Sequence, residues 1–122
     1  CGDRSPVEAA ERYCRYLGAA CNGVRAELWY FRSERWRCAA SSDGLDGQLG
    51  HALQGFRQGV ACLGKGVLAT IIRERDDTLL GAAVLSGDDL SRVSAEYIMA
   101  AGKMASGLLM TFTFSEHFDQ NV

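Results

Sequence analysis

Five cysteines (Cys1, Cys14, Cys21, Cys38 and Cys62) and two histidines (His51 and His117) are the side chains best suited to covalent or metal chemistry in this chain. A catalytic nucleophile needs a base within hydrogen-bond reach and a third group to orient that base. Cys62 and His51 are the pairing that could form such a dyad, but eleven residues of helix would set them about 16 Å apart along its axis. An odd number of cysteines without CxxC spacing argues against a disulfide framework or a structural zinc site, and for a reducing, cytoplasmic setting. Cys14 and Cys21, seven positions apart, share one helical face, where they read as small apolar filler rather than a redox pair. The acid pairs Asp76, Asp77 and Asp88, Asp89 sit where a turn and a helix start already account for them. No GxxxxGK[ST] loop, GxGxxG turn, HExxH helix or GxSxG elbow occurs, which leaves the common nucleotide, zinc-protease and serine-hydrolase signatures unmet. These residues point away from an enzyme and call for no metal and no cofactor.

The elements that would position these groups follow from spacing. Ser5, Pro6 and Glu8 supply a capping hydroxyl, a proline where no amide is needed and a first-turn carboxylate, so a helix starts near Pro6. Its apolar stripe is Val7, Ala10, Tyr13, Cys14, Leu17 and Cys21, and Asn22, Gly23 end it. Residues 24–41 then read as a hairpin turned at Ser33 and Glu34, with Ala26, Leu28, Tyr30 on one face of its first strand and Glu27, Trp29, Phe31 on the other. In its second strand Trp36, Cys38 and Ala40 share a face, opposite Arg35 and Arg37. Arg32, Arg35 and Arg37, mixed with Glu27 and Glu34, read as a solvated hairpin face.

Residues 43–66 hold seven glycines, yet Leu45, Leu49, Leu53, Phe56, Val60 and Leu63 keep a helical stripe. Each interior glycine costs a helix about 1 kcal/mol, so this helix is expected to be the least stable element, either a mobile lid or a plain connector. Val67 to Arg73 and Thr78 to Leu85 are apolar runs suited to a second hairpin covered on both faces. A long helix is expected from Asp88 and Asp89 onward, with Leu90, Val93, Tyr97, Ala101, Met104 and Leu108 as its seam. Ile98, Met99, Gly102, Ala105 and Leu109 add apolar surface beyond that seam and are the expected dimer interface. The segment after Leu109 reads either as a short strand or as a frayed helix end.

The 13 basic and 15 acidic residues leave a formal charge of -2, so no global field draws nucleic acid or an anionic membrane. No apolar stretch is long enough to span a bilayer. The fold expected is α+β: an antiparallel sheet of two hairpins, four to six strands in all, with helices on both faces in the order α-β-β-α-β-β-α. A single domain over 1–122 is expected, with a core of about 6–110, a leader at 1–5 and a tail at 111–122, cut from a longer protein.

This order resembles the GAF family of small-molecule sensor domains over about residues 7–109. The segment Ala26-Glu27-Leu28-Trp29-Tyr30-Phe31 with Trp36-Arg37-Cys38-Ala39-Ala40-Ser41 is similar to that family's first hairpin. Val67 to Ile72, with Leu80-Gly81-Ala82-Ala83-Val84-Leu85, looks like its last one. The cyclic-nucleotide signature and a Cys-His pair for a bilin are missing. The resemblance implies a ligand held between the sheet and segment 43–66, lined by Trp29, Phe31, His51, Gln54 and Arg57, although Trp29 and Phe31 by themselves read more readily as core residues. It implies a non-catalytic regulatory domain that binds a small molecule or a partner, forms a homodimer, and signals through its terminal helices to a neighbouring domain. Roadblock or longin-like domains and type III secretion chaperones share the order of elements, so a dimeric protein-binding scaffold is the alternative.

Overall fold

Capped and striped segments become elements where their apolar faces find one another. The structure, a computed structural model, describes residues 6–21, 24–42, 53–57, 59–64, 66–74, 77–87, 90 and 93–120, with the backbone alone at 6, 7, 64 and 112–120. Helix α1 (Pro6–Ala20) is followed by strands β1 (Arg25–Arg32), β2 (Arg35–Ser41), β3 (Val60–Gly64), β4 (Val67–Arg73) and β5 (Leu79–Ser86), then helix α2 (Ala95–Gln120). The strands form one antiparallel sheet in the order β2-β1-β5-β4-β3. Among the described residues this is an α+β fold of five strands and two helices.

The strand period of two divides the sheet into two faces. Ala26, Leu28 and Tyr30 of β1 lie opposite Leu85, Ala83 and Gly81 of β5, and Leu68, Thr70 and Ile72 of β4 continue that face. Both helices cover it, α1 over β1 and β2, α2 over β4 and β5. Ala10, Cys14, Leu17 and Cys21 form the buried stripe of α1, while Ile98, Ala101, Ala105 and Leu109 form that of α2. The Tyr13 hydroxyl ties the helices together by donating to the Ala101 carbonyl at 2.6 Å.

Several sequence expectations are corrected here. Residues 60–64 are a strand, so the second hairpin is preceded by β3 and the order becomes α-β-β-β-β-β-α. Val60 to Leu63 carry apolar side chains that pair with β4, and Gly59, at φ 81, breaks the helical path before them. Cys62 is thus on an edge strand, and the helical spacing assumed for a dyad with His51 is lost; His51 lies outside the described residues. Helices on both faces are not found among the described residues, because α1 and α2 share one. Helix α2 starts at Ala95, capped by Ser94, whose hydroxyl accepts the Tyr97 amide at 3.0 Å, as an N-cap serine does. Leu90 and Val93 form a turn before it. Asp88 and Asp89 lie outside the described residues. Past Leu109 the chain stays helical to Gln120. A bulge between Cys38 and Ala40 moves Ala40 to the helix-covered face, opposite Leu28, and leaves Trp36 and Cys38 on the other with Phe31 and Trp29.

The dimer residues also land elsewhere. Ile98, Ala105 and Leu109 are fully buried in the chain's own core, and Gly102 presses on β4, where a Cβ would meet Thr70 at 3.0 Å. Of the five, Met99 faces solvent. Gly102 and Ala105 face the sheet and let the helix approach closely, with Ile98 and Leu109 packing on either side of them. The seam of larger side chains, Tyr97 and Met104, consequently turns outward at 46% and 79% exposure.

Candidate functional site

The second sheet face is where side chains that could hold a ligand converge. Its floor is Trp29, Ala69, Ala82 and Val84, flanked by Trp36, Cys38 and Ile71. Small residues on β4 and β5 leave room above the sheet. Leu53 and Phe56 fill that room from a single turn, closed by the Phe56 amide donating to the Leu53 carbonyl at 3.0 Å. This turn takes the place of the expected helix; residues 43–52 lie outside the described residues.

Arg57 follows Phe56 directly and lies over the aromatic end of the first hairpin. Its guanidinium carbon is 4.6 Å from the centroid of the Phe31 ring and 6.0 Å from that of Trp36, within the reach of a cation–π contact. The two rings themselves are tilted by 59° with centroids 5.0 Å apart. Backbone bonding fixes Arg57 in place: its carbonyl accepts from the Arg73 guanidinium, which also donates to the Asp77 carbonyl at 2.8 Å. Arg73 therefore staples the covering turn to the β4–β5 connection.

Two indoles on this face are in opposite states. The Trp29 indole nitrogen donates to a Glu27 carboxylate oxygen at 2.7 Å, and Glu27, fully buried, pairs with the Arg25 guanidinium. The Trp36 indole nitrogen is buried with no acceptor among the described residues. A buried donor left unpaired costs about 1–3 kcal/mol.

Of the predicted lining, Phe31 and Arg57 meet, Trp29 lies in the floor with its polar atom already used, and Gln54 is exposed on the covering turn. Trp36 and Glu27 were not in that lining. The signal for Glu27 was available: Arg25, Glu27 and Trp29 alternate on one strand face, so an acid flanked by a cation and an indole could be buried. Glu27 therefore leaves the solvated hairpin face assumed for it, whereas Glu34, Arg35 and Arg37 do face water.

Elsewhere the chemistry is sparse. No group of three potential metal-binding His, Cys, Asp or Glu side chains occurs among the described residues. Cys14 and Cys21 are buried on α1. Burial foremost, with Cys38 adding to it, pushes the Cys14 thiol up to about 12, and burial raises Cys21 as well; neither is a thiolate near neutral pH. Cys14 and Cys38 both direct their thiols at the Ala40 carbonyl. A groove of about 290 Å³ runs between the helices on the other side of the molecule, bordered by Tyr13, Tyr16, Tyr97 and Met104. Among the described residues no helix is long and apolar enough to cross a membrane.

No protein-family model and no curated protein matches the chain. Solved structures do. The GAF domain from an Acinetobacter phosphoenolpyruvate-protein phosphotransferase superposes with a TM-score of 0.69 at 15% identity, over 99% of this chain and 89% of that one. A domain ascribed to a two-component sensor histidine kinase protein of Sinorhizobium meliloti gives 0.64 at 16% identity, over 98% of this chain and all of that one. At such identities the likeness is one of fold, and the fold is GAF-like.

Proposed function

We propose that this GAF-like domain is a non-catalytic regulatory module. It binds a small molecule on the sheet face under residues 53–57 and passes the bound state to its terminal helices, through which it pairs with a second copy and addresses a neighbouring signalling domain. The observation that carries this reading is the covering turn. Leu53 and Phe56 bury themselves on the sheet, yet among the described residues the turn's backbone is held by one internal backbone hydrogen bond, an Arg57 side-chain bond to the Phe56 carbonyl and the Arg73 staple. Re-exposing two such side chains costs about 3–6 kcal/mol. A ligand that binds the closed turn better than the open one adds that difference in affinity to the hold and slows the turn's opening.

The two faces are mechanically close. The backbone of Trp29, whose side chain lies in the ligand-side floor, abuts Gly81, and Leu109 of α2 sits on Gly81 from the other face. A shift of Trp29 under ligand therefore reaches α2 through one residue. The phosphotransferase and kinase contexts of the two structural neighbours fit a regulatory role. For the second copy, the α1–α2 groove offers Tyr16, Tyr97 and Met104, all exposed. That same groove favours the alternative, a dimeric scaffold in which the helices bind protein and the opposite face holds nothing.

Native mass spectrometry of the chain from its natural host, joined to hydrogen exchange, tests the reading. The expected result is a dimer carrying a small molecule, with amides of 53–57 better protected when it is present. A monomer without an adduct, whose amides at 53–57 exchange as slowly as those of β5, would refute it. A dimer with an empty opposite face would select the scaffold.

A further inference from the structure

We infer that the site at Arg57, Phe31 and Trp36 takes a small planar aromatic acid, whose carboxylate bridges the Arg57 guanidinium and the Trp36 indole N–H. The inference rests on the ligand-binding reading above and names its chemical class. Three features define that class.

The first is charge. Arg57 is exposed and, among the described residues, has no carboxylate partner; its recorded side-chain bond is to the Phe56 carbonyl at 2.9 Å. A cation in this position repels cationic ligands and selects anions. The planar Arg57 guanidinium is a matched donor for the oxygens of a carboxylate.

The second is the orphan donor. The Trp36 indole nitrogen is fully covered and lacks an acceptor, while the Arg57 guanidinium carbon is 6.0 Å from the centroid of the same indole. With the guanidinium this close to the indole, one carboxylate can take a hydrogen bond of about 2.9 Å from each group. The acceptor missing from the chain is thus what such a ligand brings. Because the nitrogen is covered, the acid reaches it only as groups packed around Trp36 move, Arg57 of the covering turn among them.

The third is the wall. Phe31 and Trp36 are half-buried and tilted toward one another, leaving edges and faces against which a flat ring packs. A short aliphatic acid such as acetate would satisfy the donors but not cover these rings.

The chain has two tryptophans, so the indole region of a proton–nitrogen NMR spectrum of the ¹⁵N-labelled full chain reports both sites. Trp29, already bonded to Glu27, is the internal control, and Trp36→Phe assigns the signals. Benzoate is the probe, with acetate, benzamide and benzylamine as comparators. Benzoate is expected to move the Trp36 indole proton saturably and downfield while leaving that of Trp29 in place. Arg57→Gln, at an exposed position, should weaken benzoate roughly tenfold or more, as loss of a charge-assisted bond does, with the unmoved Trp29 signal reporting that the fold is kept. Acetate and benzamide should bind at least tenfold more weakly, and benzylamine should not move the signal. The inference is overturned if benzoate leaves Trp36 unmoved up to millimolar concentration, if Arg57→Gln binds it equally well, or if benzylamine matches it.

Failures of the two readings separate. If a host-derived molecule slows exchange at 53–57 without moving the Trp36 signal, the regulatory reading stands and the aromatic-acid class falls. If benzoate moves Trp36 without altering exchange at 53–57, the class stands and the regulatory reading falls.

Discussion

One substitution made at three glycines measures how tightly α2 is pressed on the sheet, and so whether it can sense the opposite face. At Gly107, an added methyl meets nothing within 4 Å. Alanine there should return the helix-propensity difference, about 1 kcal/mol of added stability. At Gly102 the same gain applies, but the new Cβ would lie 3.0 Å from a Thr70 methyl and 3.2 Å from Ile72. Overpacking of that kind costs about 1–3 kcal/mol, so the net is a loss between roughly zero and 2 kcal/mol. At Gly81 a Cβ would stand 2.1 Å from the Trp29 carbonyl oxygen and 3.0 Å from Leu109. Backbone cannot yield as a side-chain tip does; β1 and β5 must part, and a loss of about 3 kcal/mol or more is expected. Urea unfolding followed by tryptophan fluorescence gives the three values as midpoint shifts at constant slope, about 0.3–1 M per kcal/mol. The order of stability should be Gly107→Ala above the parent, Gly102→Ala at or below it, and Gly81→Ala far below. Equal gains at 102 and 107 would show that α2 is not seated on β4. A neutral Gly81→Ala would break the path proposed from Trp29 to Leu109.

Three further outcomes follow from local chemistry. The β1–β2 hairpin turns on Ser33 and Glu34, both exposed and both at positive φ, 53° and 64°. Replacing them by Asn-Gly, which favours this mirror-image turn, should raise unfolding stability by about 1–2 kcal/mol. Removing the cation from the buried pair, by Arg25→Met, should cost about 3 kcal/mol at neutral pH by stranding the Glu27 carboxylate, measured by the same unfolding assay. Cys14 should make the fold sensitive to alkali. Its native value of about 12 lies above the ordinary 9.0, so between these limits the folded chain keeps a proton that the unfolded chain releases. The stability it contributes is complete below pH 9 and falls as pH rises toward 12. The advantage of the parent over Cys14→Ala should therefore shrink from pH 8 to pH 11; a constant difference would show that the thiol is not buried.

Local signals made much of the fold legible. The helix start at Pro6, the alternation in β1 and the two apolar runs of β4 and β5 each have one physical solution, and each occurs as expected; Ser5 lies outside the described residues. What sequence spacing could not resolve was which of two competing stripes a helix buries. In α2 both stripes are apolar, but the one with Ile98, Gly102, Ala105 and Leu109 is buried, because its two small residues allow a close approach to the sheet that Tyr97 and Met104 would forbid. Segment 53–64 failed for a related reason. Leu53, Phe56, Val60 and Leu63 satisfy a helical period, yet Gly55 and Gly59 take left-handed φ values, and Val60 onward gains a strand partner in β4. The spacing of apolar residues was real, and the long-range pairing that decided between helix and strand is not a property of spacing.

The candidate site was legible to the extent that its residues obey the strand period. The family resemblance places Phe31 and Arg57 together, since it sets segment 43–66 over the sheet. Trp36 could not be placed, since its face depends on how the bulge before Ala40 shifts β2 against β1, and a bulge leaves no mark in an apolar run. That bulge puts Trp36 and Cys38 beside Phe31 and Trp29 while Ala40 packs under the helices. The residue that sequence missed is therefore the one whose indole donor is left without an acceptor. On the neighbouring strand Glu27 and Trp29 are partnered within the chain, so an unmet donor beside a cation that has no carboxylate partner among the described residues is a feature that packing alone does not require, and a bound acid would account for both.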